Sequence, residues 1–478
     1  MSKPCDLSAV EARHLIGTKD LSPVELLESC IERIEAVNGT LNAVTAMDRE
    51  GARAAAKQAE QQVLAGEELG LLHGLPIGVK DLQATKGLRT TWGSLLYENH
   101  VPEADDFIVA NARAAGGIIL AKTNTPEFGA GANTTNRVFG PTGNPFDPEK
   151  TCGGSSGGSA VALAANMVPL ATGSDHGGSL RTPASFCGVT GFRPSPGTVP
   201  NVARPVSLLP MPVLGPMGRS TADAHLLLRA LTPIDKRDPF SSSDVNNLPA
   251  ALDEIDLGSL RVAFSTDLGC APVDSGIAAQ FAAKTATFRH HFAEAQDRDP
   301  DLTDVHEAFE ILRAIHFVAA HKERLETSRD LLGPNVIDNT ERGLKYSLPD
   351  VAWAIKTQTE LYRRFLSFFD EADLLICPGA SVSPFPHAQL YVEEINGEKM
   401  PTYMRWLALT YGLTMALPSA CCIPCGLDHK GLPFGIQVVG PIGSDALVLR
   451  AASTLERVLS ENPATARPLP DFAALSGT

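Results

Sequence analysis

From Cys152 to Arg193 the chain reads CGGSSGGSAVALAANMVPLATGSDHGGSLRTPASFCGVTGFR, and no other stretch restricts its folding as much. Two Gly–Ser clusters, Gly153–Ser159 and Gly177–Ser179, bracket an apolar segment running from Ala160 to Ala171. Glycine reaches φ > 0 at no steric cost, so such runs let successive backbone N–H groups converge on one point. Flexible surface turns share this composition, but they are not normally joined by apolar, helix-like and strand-like sequence. The order is glycine-rich loop, helix over 159–166, strand over 168–172, second glycine-rich loop, helix over 180–186. Ser179 then stands at the start of a short helix, whose unpaired N–H groups suit a developing oxyanion. A serine in this setting can act as a nucleophile, with the surrounding N–H groups as its oxyanion hole.

Upstream, Leu75-Pro-Ile-Gly-Val-Lys80-Asp81 reads as a short apolar strand that delivers a lysine and an aspartate at its C-terminal end, where open α/β sheets carry their functional groups. A lone lysine is usually a surface residue; the buried character of this strand makes an inward Lys80 credible. A helix over 107–115 and a strand over 117–121 continue a βαβ rhythm and predict a mainly parallel sheet. Ser8 with Glu11 and Ser22 with Glu25 read as capping boxes, the second with Pro23 at the first helical position. Gly17 and Asn38-Gly39 are the expected stops of these two helices, and a third helix is expected over 53–64.

Residues 129–151, rich in Gly, Asn, Thr and Pro, are expected to be irregular and to line a cleft. The Pro-rich segment 194–216 is expected to be a loop over the site, and 234–247 an internal linker or mobile loop. Strands are predicted over 260–264, 373–378, 413–424 and 434–439, with helices over 222–231 and 446–459. Residues 277–369 read as a mostly helical layer or lid carrying substrate contacts, interrupted near Gly333-Pro334 and Ser347–Pro349. The His290-His291 doublet and His316 within it read as solvated or packed rather than ligating.

A chain of 478 residues can bury a large core, and 44% apolar with 20% charged residues is ordinary for a globular protein. The net charge of −15, with no basic tract to offset it, disfavours a nucleic-acid partner held by electrostatics. Nine scattered cysteines argue against a disulfide scaffold and for a reducing compartment. Cys422-x-x-Cys425 with His429 nearby resembles half a zinc site, but no second ligand pair stands at a matching spacing. A buried strand over 420–425 that uses cysteine as a small apolar residue is the better reading. The N-terminal MSKPCDLSAVEARHL has no apolar h-region, and no uncharged apolar run reaches about 18 residues. A cytoplasmic location, with no membrane partner, is expected.

Taken together, Cys152–Arg193, His73-Gly-Leu-Pro-Ile-Gly-Val-Lys80-Asp81, Lys122-Thr-Asn-Thr-Pro-Glu-Phe-Gly129 and Gly431-Leu-Pro-Phe-Gly-Ile-Gln-Val-Val-Gly440 resemble the amidase signature family of serine hydrolases over nearly the whole chain. The resemblance implies one α/β/α domain spanning 1–478, a large mixed, mostly parallel sheet surrounded by helices, with a substrate-cleft region over about 234–370. It implies a triad of Ser179 as nucleophile, Ser155 as bridging serine after a cis peptide bond, and Lys80 as base. The oxyanion hole falls on the backbone of His176, Gly177, Gly178 and Ser179, with Ser156, Asp175 and Arg181 in support. Phe128, Gly129 and Ala130 are candidate substrate contacts.

Elementary chemistry agrees with this assignment. A serine hydroxyl needs a base at neutral pH, and a lysine whose pKa is lowered by burial can serve. Neither a metal nor an organic cofactor is required. His176 departs from the small residue usual at its position; its backbone suffices for the hole, and its ring is expected to shape specificity rather than act as base. The expected substrate is a small-molecule amide, aryl or alkyl, or a carbamate, acted on by a monomer or homodimer. Two other readings compete: the glutaminase component of a tRNA-dependent amidotransferase, and a catalytically inactive binding homologue. Intact Lys80, Ser155 and Ser179 argue against the last.

Overall fold

Local capping places the first helices. Ser8 Oγ accepts the N–H of Glu11, and the helix Ala9–Thr18 runs one residue past Gly17 to close on Lys19 in the left-handed region. The next helix, Pro23–Leu41, starts at the Ser22–Glu25 capping box but does not stop at Asn38-Gly39. Asn38 instead uses its side chain to accept the N–H groups of Ala43 and Val44, so the helix continues to Leu41 and ends on Asn42 at φ 50. Leu27, Ile31, Ile34 and Leu41 are buried on one face, which is what holds this helix on the sheet. A third helix spans Arg49–Ala65.

The computed structural model describes residues 3–242 and 248–476. Eleven strands form one mixed sheet. In chain order they are β1 Val44–Met47, β2 Pro76–Lys80, β3 Ile118–Thr123, β4 Leu170–Asp175, β5 Thr190–Arg193, β6 Val213–Gly218, β7 Arg261–Phe264, β8 Glu294–Asp297, β9 Leu374–Pro378, β10 Ser419–Leu427 and β11 Pro433–Gly440. Their order across the sheet is β1-β3-β2-β4-β6-β5-β10-β11-β9-β7-β8. Parallel pairing is confined to β2 with β3 and β4, and to β7 with β8 and β9. The centre, from β4 through β6, β5, β10 and β11 to β9, is antiparallel, where the βαβ rhythm predicts mainly parallel neighbours.

Two strands are unexpected. β6 lies in the Pro-rich segment read as loop; its pairing with β4 runs the length of the strand, whereas β5 meets only Met217 and Gly218. Pro216 therefore sits where one side of the strand has no ladder to complete, which is where a residue without an N–H is tolerated. β8, Glu-Ala-Gln-Asp, is a largely exposed edge strand with no apolar alternation to announce it. The predicted strand over 413–424 is instead a helix, Ala408–Thr414, followed by β10 from Ser419. Cys421, Cys422 and Cys425 are buried along β10 as small apolar residues. Helices Ser275–Thr285, Val305–Ser328, Pro334–Gly343 and Leu348–Phe368 make up the helical layer, broken at Gly333 and Ser347. Of the predicted linker 234–247, residues 243–247 lie outside the described residues. No described helix is long and apolar enough to cross a membrane.

Candidate active site

β2 and β4 are parallel neighbours, so the C-terminal end of one brings Lys80 beside Ser174 on the other. Lys80 is fully buried, and its Nζ reaches the hydroxyls of Ser155 at 2.7 Å, Ser156 at 2.9 Å and Ser174 at 2.9 Å. Burial pulls this amine well below the usual lysine range, and Asp175 offsets that only in part. Ser155 and Ser156 come from the first glycine-rich loop, which enters through a cis Gly154–Ser155 peptide bond and leads into the helix Gly157–Ala164. Ser174 is not among the residues singled out from the sequence; a polar residue inside an otherwise buried strand is the signal that marks it.

The second glycine-rich loop is built on Asp175. Its carboxylate accepts the N–H groups of Gly178 at 2.9 Å and Leu180 at 3.1 Å, and binds Arg181 through Nε and Nη2, both at 3.0 Å. Arg193 adds a contact at 3.2 Å. All three side chains are buried; burial opposes ionisation of Asp175, but the two guanidinium groups prevail and hold it below the usual carboxylate range. One carboxylate against two guanidinium groups leaves a net positive charge beneath the loop. Thr410 Oγ1 donates to the Gly177 carbonyl at 2.7 Å, and Ser156 N–H donates to the Ser179 carbonyl at 3.2 Å.

This geometry corrects one expected oxyanion donor. The N–H of Gly178 is committed to Asp175, and Gly178 does not line the cavity, whereas His176, Gly177 and Ser179 do. Gly178 sits at φ +115, and a Cβ there would lie 2.2 Å from Thr410 Oγ1, so only glycine fits. Among the described residues the N–H groups of Gly177 and Ser179 have no protein acceptor. Ser179 precedes its helix, Arg181–Cys187, by two residues.

These loops open into a cavity of about 530 Å³, a size suited to a small organic molecule. Phe128 and Gly129 line it. Ala130 does not: it is buried against Phe317, Leu332 and Val336, and its carbonyl accepts Asn335 Nδ2 at 2.9 Å. Of the expected cleft segment 129–151, only Gly129, Gly131 and Ala132 reach the cavity, because the later residues fold into two small hairpins. Residues 200–205 of the Pro-rich segment cover it. The Val305–Ser328 helix forms a wall that includes His316, whose sequence setting suggests a packed or solvated residue and not a cavity-lining one.

Residues 25–449 match the family model described as Amidase. The chain belongs to the amidase signature family. It is 32% identical over 454 residues to an acylamidase of Rhodococcus erythropolis, covering 95% of each chain. It is also 30% identical over 487 residues to the catalogued A component of the glutamyl-tRNA(Gln) amidotransferase of Acaryochloris marina, covering 94% of this chain and 98% of that one. Its fold is similar to the crystal structure of a bacterial aryl acylamidase, with a TM-score of 0.87, 28% identity, and coverage of 97% of this chain and 99% of that one. The protein is thus an amide-hydrolysing enzyme, and the mixed sheet with surrounding helices is the architecture of that family.

Proposed function

We propose that the enzyme hydrolyses small aryl or alkyl amides, and carbamates that present the same acyl carbon, through an acyl-enzyme on Ser179. The observation that carries this reading is the buried amine of Lys80, 2.7 Å from Ser155 Oγ and without an ion-pairing carboxylate among the described residues. A neutral amine has two N–H groups and one lone pair. With three serine hydroxyls around it, one must donate to Nζ, and Ser155, the closest, is the donor in this reading.

Ser179 Oγ then forms a bond to the acyl carbon while its proton passes to Ser155 Oγ and the Ser155 proton passes to Lys80 Nζ. The carbonyl π pair moves onto oxygen, where the N–H groups of Gly177 and Ser179, with His176 adjoining, receive it above the buried Arg181 and Arg193. Losing one such donor typically costs about 2.7–4 kcal/mol. Collapse of the intermediate breaks the C–N bond, and the proton returns through Ser155 to the leaving nitrogen, since an amide anion leaves poorly. Water repeats the sequence on the ester and releases the acid.

The test is intact mass spectrometry after incubation with a fluorophosphonate. One adduct on wild type and none on Ser179→Ala is expected, together with hydrolysis of simple anilides. Absence of any adduct on the folded wild type would refute the nucleophile assignment. The similarity to an amidotransferase component favours one second reading, a glutaminase acting inside a complex. Glutamine as the one efficient substrate, hydrolysed only with co-purifying partners present, would establish that reading instead; the net charge of −15 argues against RNA contact by this chain itself.

A further inference from the structure

The cavity carries a charge that the rest of the chain does not. In a protein of net charge −15, its wall includes the guanidinium groups of Arg204, Arg313 and Arg324. Arg204 is matched by Asp238, with Nη2 3.3 Å from Oδ2. Arg313 and Arg324 form no ion pair among the described residues. Arg313 donates to Asn339 Oδ1 and lies 4.3 Å above the ring of Phe317. Arg324, half-buried, donates to Tyr97 Oη and to His321 Nδ1, each at 3.2 Å, and its guanidinium lies 5.2 Å from the Phe128 ring centre. The acidic groups of the wall are already engaged. Asp106 accepts the N–H of Ala84 at 2.6 Å, and Asp175 is held by Arg181 and Arg193.

The arrangement is systematic. Arg313, His316, Phe317, Ala320, His321 and Arg324 recur every three or four residues, so one face of the Val305–Ser328 helix is turned to the cavity. At the inner part of this face the ring of His316 lies 5.0 Å from that of His176, the residue that opens the oxyanion segment. The Nε2 atom of each imidazole is buried with no hydrogen-bond partner among the described residues. Burial and the nearby Arg204 and Arg313 push the His316 pKa down to about 4, so this ring is neutral at pH 7. Two unpaired guanidinium groups and two unsatisfied ring nitrogens along one wall make a site that water satisfies poorly and an anionic ligand satisfies well.

We infer that the cavity selects amides bearing a carboxylate on their acyl or amine portion, with Arg324 and Arg313 as its anchors and the His176–His316 pair as a further polar contact. This assignment rests on the amide-hydrolase reading and narrows its substrate class. The planar guanidinium fork matches a carboxylate in two hydrogen bonds, and the aromatic rings of Phe128 and Phe317 hold the two forks in place.

The experiment is calorimetric binding to the Ser179→Ala enzyme at low ionic strength, with two matched pairs. N-phenylsuccinamate against N-phenylbutanamide places the charge on the acyl side; 4-acetamidobenzoate against acetanilide places it on the amine side. At least one acid is expected to bind about tenfold tighter than its neutral partner, a preference that shrinks with added salt. Arg324→Gln is expected to cut that preference to about twofold or less, with Arg324→Lys retaining part of it. If neither acid binds more tightly than its neutral partner, or if the preference survives Arg324→Gln unchanged, the inference is wrong. Binding without turnover does not depend on which serine attacks, so failure of the fluorophosphonate labelling and failure of this preference remain separate results.

Discussion

Replacing Lys80 with methionine should abolish activity and yet stabilise the fold near neutral pH. Unfolded, the lysine titrates at its ordinary 10.5; folded, burial holds it well below that. A folded state that keeps the amine neutral at about pH 7 gives up a proton the unfolded chain holds firmly, at a cost of about 1.4 kcal/mol for each of about 3.5 pH units, or about 5 kcal/mol. Methionine removes that cost. It also removes the contacts to Ser155, Ser156 and Ser174, which together offset about 3 kcal/mol of the gain. The expected net effect is stabilisation by about 2 kcal/mol at about pH 7.

The pH dependence is the sharper test, because the hydrogen-bond contribution cancels from it. The folded pKa is depressed, so the unfolded state binds more protons, and wild-type stability rises with pH up to 10.5 and is lost as pH falls toward the folded value. Between about pH 7 and about pH 9 the advantage of Lys80→Met should shrink by about 3 kcal/mol and change sign. Urea unfolding of both proteins at the two pH values measures this. A stability difference that does not move with pH would mean that the lysine stays protonated in the fold, and the base assignment would fall with it.

Asp175→Asn leaves the buried Arg181 and Arg193 without their carboxylate and should destabilise by about 3–5 kcal/mol, read by urea unfolding. Because Asp175 titrates below the ordinary range in the fold, its contribution is full above 3.8 and fades as pH falls through the folded value, so wild type and variant should converge in acid. Gly178→Ala would drive a Cβ to 2.2 Å from Thr410 Oγ1 at φ +115 and displace the Gly177 carbonyl it holds. A fall in kcat of about a hundredfold is expected, and near-wild-type kcat would show that the loop is not the oxyanion site.

Much of the site was legible because its parts are set by local backbone chemistry. Glycine clusters mark where the chain must turn with its N–H groups exposed, and they placed Ser155 and Ser179 on the two loops that meet at the cavity. An apolar run ending in Lys80 marked a strand that buries its last side chain. Capping residues placed the starts of the first two helices. Their ends were less legible: the side-chain bonds of Asn38 to residues after the helix outweighed the stop signal of Asn-Gly.

What the sequence alone determined, then, were the chemical identities and the local conformations: a serine on each of two glycine-rich loops and a lysine at a strand end. What only the tertiary structure decided was which groups face each other. Ser174 reaches Lys80 because β4 pairs with β2 in one register. Arg193 joins Asp175 from a strand two places away, with β6 between them, and takes the oxyanion loop as its acceptor. β6 is a strand, despite its proline, only because β4 supplies the ladder. The basic face of the Val305–Ser328 helix has helical spacing in any setting, but nothing in that spacing says whether it meets water or a cavity. Backbone preferences act over a few residues and can be read in order along the chain. Burial, electrostatic pairing and cavity shape arise from contacts between distant segments, and exist only once the sheet has assembled.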